Sequence, residues 1–221
     1  MELKRITLRT RPILFDRVIQ DIQQSLATSL PWLDHSFGRC ERLVKMVNGR
    51  RLYTPNLYLG KDEYLPLAPD QNLGNYSFFV IDEPEAVSWE IGQNALHKTP
   101  FSLIVWVDMR YIDGTDERNT EDVKDRIFKA VRDNVWVKQG GFSINRVYNK
   151  AENVFEGFSL DEVDNQFLMS PFCGWRFSGE MWIREDCEPP QNYLIVEPDE
   201  VLWITDKLTY NVYSDSFWVI R

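Results

Sequence analysis

Phe101, Leu103, Val105, Val107 and Met109 alternate with Ser102, Ile104, Trp106, Asp108 and Arg110. That period of two demands a β-strand with one face in a core. Asp113-Gly114 breaks the pattern, and Asn119 and Thr120 then offer side-chain oxygens to cap a helix. Glu121 and Asp122 complement the positive end of the helix dipole, while Val123, Ile127, Ala130, Val131 and Val135 form one apolar stripe. A long strand therefore runs into an amphipathic helix.

A second amphipathic helix is expected from Arg11 to about Thr28. Leu14, Val18, Ile22 and Leu26 recur every fourth residue, Pro12 suits the first turn, and Pro31 ends the helix. Gly174 to Arg184 repeats the strand pattern, with Trp175, Phe177, Met181 and Ile183 on one face and Arg176, Ser178, Glu180 and Arg184 mostly on the other. Tyr76–Ile81 and Phe142–Tyr148 read as further strands, with Gly140-Gly141 as a turn before the latter. From Trp32 to Asp70, short apolar pieces around Leu43–Val47 and Leu52–Leu59 are broken by Asn48-Gly49, Pro55, Gly60, Pro66 and Pro69. These read as short strands and a long inserted loop over residues 48–75. Ala151 to Ser170 reads as a strand and an acidic loop, or as a short helix.

The expected fold is α+β: a mixed, mostly antiparallel β-sheet packed against two amphipathic helices in a domain of residues 1–188. Residues 189–221 form a C-terminal, β-rich and aromatic-rich appendix suited to contacts between subunits.

Hydrophobic residues make up 43% of the 221 and charged residues 27%, which places the chain among globular proteins with a sizeable core. No apolar run is long enough to cross a bilayer, and the first residues lead into no secretory signal. The net charge of −9 disfavours general binding of nucleic acid. It is unevenly spread. Residues 1–60 carry ten Lys or Arg and five Asp or Glu, whereas residues 61–221 carry fifteen and twenty-nine, for +5 and −14. Such asymmetry is most often just a solvated surface, but it also suits subunits that stack head to tail or a protein with one face turned toward something acidic. Cys40, Cys173 and Cys187 are an odd number and read as reduced thiols in a cytoplasm-like compartment.

Chemistry is hard to find. His35 and His97 are the only histidines, and neither joins a C-x-x-C, H-E-x-x-H or paired-His pattern that would build a zinc site. There is no glycine-rich phosphate loop, and Ser178 sits in a strand rather than a nucleophile elbow. No metal or other cofactor is expected. Among the carboxylates, Asp108 with Asp113 or Glu117 is the best acid and base or cation-holding set, giving a metal-assisted hydrolase as the competing class. A wet strand face and a solvated turn explain the same residues. A protein-binding module is the third class.

Eight tryptophans stand out. Trp32, Trp106, Trp182, Trp203 and Trp218, with Tyr58, Tyr64 and Tyr213, are the expected interface residues, since exposed rings anchor interfaces; padding of a sheet's second face is the other reading.

This order of elements resembles the tail terminator, or tail completion, proteins of tailed bacteriophages. The likeness rests on the strand Phe101-Ser102-Leu103-Ile104-Val105-Trp106-Val107-Asp108, the acidic turn and helix from Glu121 to Asn134, and the strand Trp175-Arg176-Phe177-Ser178-Gly179-Glu180-Met181-Trp182-Ile183. It covers about residues 11–186. The resemblance implies a structural, non-enzymatic virion protein whose copies close into a ring of six, or of twelve. Such a ring caps the tail tube, joins it to portal, neck or head-completion proteins, and passes genomic DNA without holding it. It implies synthesis in the host bacterial cytoplasm and a place at the virion neck or tail. The chain is longer than a typical member of that family, through the loop from Arg50 to Gln71 and the tail from Pro189 to Arg221, and the appendix has no counterpart there.

Overall fold

From Phe101 to Asp108 the alternating run lies within β8 (Leu96–Asp108), which is paired along its whole length to β10 (Phe172–Arg184), with Phe172 opposite Asp108 and Arg184 opposite Leu96; Met109 and Arg110 leave the strand for a helical turn. The structure, a computed structural model, describes residues 5–6, 8, 12–69, 73–89, 94–112, 119–133, 140–159 and 168–185. The 189–221 appendix, with Trp203, Tyr213 and Trp218, lies outside the described residues, as do Asp113, Glu117 and Cys187.

Around β8 and β10, β1 (Arg5–Ile6), β2 (His35–Arg39), β6 (Tyr76–Ile81) and β9 (Gly140–Tyr148) complete a sheet in the order β1-β2-β6-β8-β10-β9. A seventh strand, β7 (Ala86–Ser88), pairs with the start of β8. The β1–β2 and β2–β6 pairs are parallel and the others antiparallel. The mixed, mostly antiparallel sheet is as expected.

Helices α1 (Phe15–Ser29) and α2 (Thr120–Asp133) cover one face. Val18, Ile22 and Leu26 of α1 and Val123, Ile127 and Val131 of α2 meet Leu103, Val105, Trp175 and Phe177 in a single core. Ser25 Oγ on α1 donates to the Ala130 carbonyl at 2.5 Å, tying the two helices together. The Asn119 cap forms as expected, its Oδ1 accepting from Asp122 N at 3.3 Å. Helix α1 starts later than expected, at Phe15: Leu14 adopts a left-handed φ of 48°, and Pro12 lies ahead of the helix.

Three expectations need correction. The first concerns β8, whose second face is dry. Ile104 and Trp106 pack there with Phe37, Leu57, Tyr76 and Phe172 in a second core. The second concerns the inserted loop over 48–75: the short strands expected around Leu43–Val47 and Leu52–Leu59 form as β3 (Glu41–Val47) and β4 (Arg50–Gly60), and with β5 (Glu63–Pro66), which falls where loop was expected, they make a separate three-stranded antiparallel sheet. Asn48 and Gly49, with φ of 50° and 77°, make the tight turn between β3 and β4. The third concerns Gly140-Gly141, which begins β9 rather than standing apart as a turn. A Cβ on Gly141 would lie 2.7 Å from the Trp182 indole, so the glycine leaves the ring its place. Between β9 and β10, α3 (Ala151–Val154) supplies Val154 to the second core.

Candidate functional site

The aromatic residues expected at an interface fall into three groups. Trp106 is buried, at 1% exposure, and stacks on Phe172 with ring centroids 5.0 Å apart. It pads the second core; the expectation that it faces outward fails because Leu57 of β4 and the α3 region cover the sheet face that periodicity alone leaves wet. Trp32 and Trp182 are half-buried. Trp32 presents its carbonyl to Asn75 Nδ2 at 2.9 Å. Tyr58 and Tyr64 are exposed as expected, their rings 5.2 Å apart across β4 and β5.

The largest exposed apolar side chains include several that sequence patterning missed. Val44 and Met46 of β3 are 54% and 64% exposed, and just beyond β7 the Trp89 ring is 73% exposed. On β3, Glu41, Arg42, Val44, Lys45 and Met46 are all exposed, so this edge strand is wet on both faces. With the first residues of β4 it forms a two-stranded arm. The Asn48-Gly49 pair was the available signal: two residues of that type between apolar pieces mark a hairpin.

The carboxylate and histidine candidates are engaged in structural pairs. Asp108 is buried, caps the turn at Met109–Tyr111 by accepting from Arg110 N at 3.1 Å, and holds the Arg110 guanidinium at 2.6 to 3.2 Å. Its own N–H donates to Asn75 Oδ1 at 2.7 Å. The wet strand face that was to explain Asp108 is absent; an ion pair and a turn cap explain it instead. The other two residues of the hydrolase reading, Asp113 and Glu117, are not among those described. Among the described residues, no three His, Cys, Asp or Glu side chains converge to hold a metal ion.

His97 lies between two carboxylates, Nδ1 at 2.5 Å from Glu85 and Nε2 at 3.2 Å from Glu185. Burial pushes its pKa down, but the hydrogen bonds and charges of Glu85 and Glu185 outweigh that and hold it above the ordinary imidazole range. Both ring nitrogens donate only in the charged form. His35 stacks on Phe37 at 5.3 Å. Cys40 and Cys173 are free and buried, and burial above all pushes the Cys40 thiol up to about 12.

Arg176 is the buried charge that strand periodicity placed on a wet face. Its Nε donates to Ser102 Oγ at 2.8 Å, Nη1 to the Glu156 carbonyl at 2.9 Å, and Nη2 to Asp82 at 3.4 Å. Ser178, expected to point to solvent, shares a hydrogen bond with Ser102 at 2.9 Å. Above this network a cleft of about 650 Å³ is lined by Arg39, Cys40, Arg42, Asp82, Glu83 and Glu156. Its mixed charges and inert thiol offer no nucleophile.

The described surface thus carries apolar features bordered by charge on the arm and at β7, besides the exposed Ile13, Tyr111 and Met169. No helix among the described residues is long and apolar enough to cross a membrane. No protein-family model matches the chain, and no curated protein matches it.

Proposed function

We propose that this chain is a structural virion protein whose copies form a ring at the neck or tail top of a tailed bacteriophage. In this role the ring caps the tail tube and joins it to portal or head-completion proteins. One observation carries the reading: among the described residues seven of the twelve large apolar side chains left exposed lie on strands β3 to β5 or at β7, whereas the buried carboxylate, histidine and arginine are locked in ion pairs. Exposed apolar residues bordered by charge are what an assembling subunit needs.

Two further features support it. The helix-covered mixed sheet agrees with what the resemblance implies, a mixed sheet packed against two helices, and the charge split of +5 and −14 lets unlike surfaces of neighbouring copies meet. Six copies at −9 each give the ring a negative field that DNA crosses without adhering.

The test is native mass spectrometry of the purified full chain, with negative-stain imaging of the same sample. A closed ring of six, or of twelve, is expected. A monomer at every concentration and salt, alone and with purified tail tubes, overturns the proposal.

A further inference from the structure

We propose that the β3–β4 arm of one copy docks on the β7 edge of the next, Val44 and Met46 packing against Val87 and Trp89. The contact rests on the ring reading and names the surfaces that close it.

The arm is built for a partner. Leu52 anchors one face of the ribbon and Ser159 bonds the Tyr53 backbone at 2.7 and 3.0 Å, but on the other face Val44 and Met46 stay open and contribute almost nothing to their own core. Strand register puts Val44 opposite Tyr53 and Met46 opposite Arg51, so these four residues share one face with Arg42. The Arg42 guanidinium lies over the Tyr53 ring at 4.0 Å. Lys45 and Arg50 add charge on the opposite face. The result is an apolar centre bordered by cations.

The β7 edge has the converse composition. Ala86, Val87 and Ser88 are all exposed, with Val87 at 46% and Trp89 at 73%. Asp82, Glu83 and Glu85 precede them within a few residues. Arg176 engages Asp82 and His97 engages Glu85, while both carboxylates remain partly open to solvent and Glu83 is exposed. An apolar centre therefore faces outward with Glu83 and Glu85 ahead of it, and Lys98 of β8 stands opposite Ala86 on its paired edge.

Arg42 and Glu83 line the same cleft, yet Met46 and Trp89 both stay open, so among the described residues nothing covers either patch. Docking arm on arm would set guanidinium against guanidinium. Docking arm on β7 joins unlike patches, and such a heterologous contact repeats from copy to copy until it closes.

The experiment uses the full chain and reads self-association by sedimentation velocity and native mass. Arg51→Glu alone and Glu83→Arg alone are each expected to weaken association about tenfold. Mixed in equal amounts they recover it, because alternating copies set the carboxylate introduced at position 51 against the guanidinium introduced at position 83, and native Arg51 against native Glu83. Trp89→Ser weakens association roughly tenfold or more while leaving the thermal midpoint unchanged. Association of all variants at wild-type strength overturns the arm contact and leaves the ring reading standing. A wild-type dimer sensitive to these substitutions keeps the contact and overturns the ring. A wild-type monomer under all conditions overturns both. Should a variant misfold, a benzophenone side chain placed at position 46 decides: cross-links to the Trp89 peptide of another copy support the contact, and cross-links elsewhere overturn it.

Discussion

His97 on β8 and Glu185, the residue that follows β10, are joined through Nε2 and Oε1 at 3.2 Å, while the other ring nitrogen holds Glu85 ahead of β7. One imidazole ring thus ties three segments, and the Glu185 carbonyl is further held by Asn94 Nδ2 at 2.7 Å.

The clamp has a definite pH dependence. Because its pKa is raised in the folded state, the stabilisation is complete below the ordinary value of about 6.5 and is lost as pH rises through the higher folded value. The thermal midpoint is expected to fall between pH 6 and pH 9, each ~1 kcal/mol of lost linkage lowering it by about 2–4 °C. His97→Gln flattens that slope. An unchanged slope in the variant assigns the pH dependence elsewhere.

Arg176 is expected to be irreplaceable by lysine. Its donors reach Ser102, Glu156 and Asp82 in three directions, a fan that an ammonium on a flexible stem cannot reproduce. Arg176→Ala and Arg176→Lys should each lose about 2–4 kcal/mol, read from the urea midpoint, since buried partners are left unpaired. Wild-type stability for the lysine variant would contradict this geometry.

Gly179 and Gly157 make a paired test. A Cβ at Gly179 would sit 1.7 Å from the Ser143 carbonyl oxygen, backbone against backbone at the irregularity where β10 crosses β9. Gly179→Ala is expected to cost about 3 kcal/mol or more and to reduce soluble yield. Gly157 has open space around it and a φ of 88°, so Gly157→Ala costs only about 1 kcal/mol, from strain. Equal losses in urea titrations would disprove the close approach.

Trp106 and Trp89 separate folding from association. Trp106→Ala should lose about 3–5 kcal/mol, because the ring fills the second core against Tyr76 and Phe172. Trp89→Ala should leave stability within about 0.5 kcal/mol. Thermal scans of the two variants side by side are decisive.

Cys40 should resist alkylation. With its thiol pushed up to about 12, only about one molecule in ten thousand is thiolate at pH 8. In a Cys187→Ser background, mass spectrometry should find Cys40 and Cys173 unmodified by iodoacetamide in the native protein and modified in urea. Rapid native labelling of Cys40 would show that its burial is not maintained in solution.

Local rules carried the reading wherever one element's own periodicity determined its place. The stripe from Val18 to Leu26, the Asn119 cap, and the inward side chains Trp175, Phe177, Met181 and Ile183 needed no knowledge of distant residues. Misreadings arose where the covering element was far along the chain. Trp106, Asp108 and Arg176 alternate with core residues as a wet face would, but the face is closed by Leu57, Leu67 and Phe155 from two other segments. The arm was legible in part: Asn48-Gly49 was treated as a break when it is the signature of a tight hairpin turn. Its apolar residues gave no sign of exposure, because β3 is an edge strand with no core face, and alternation says nothing about whether a ribbon is covered.

The position of β10 has a consequence for how the molecule is made. This strand lies between β8 and β9, yet it is the last of the three to leave the ribosome. Until Phe172–Arg184 emerges, β8 presents an apolar edge with nothing to pair on that side, and β9 has no neighbour. The nascent chain therefore passes through an interval in which β8 lacks one of its neighbours, an open apolar edge of the kind that exposes a folding intermediate to aggregation.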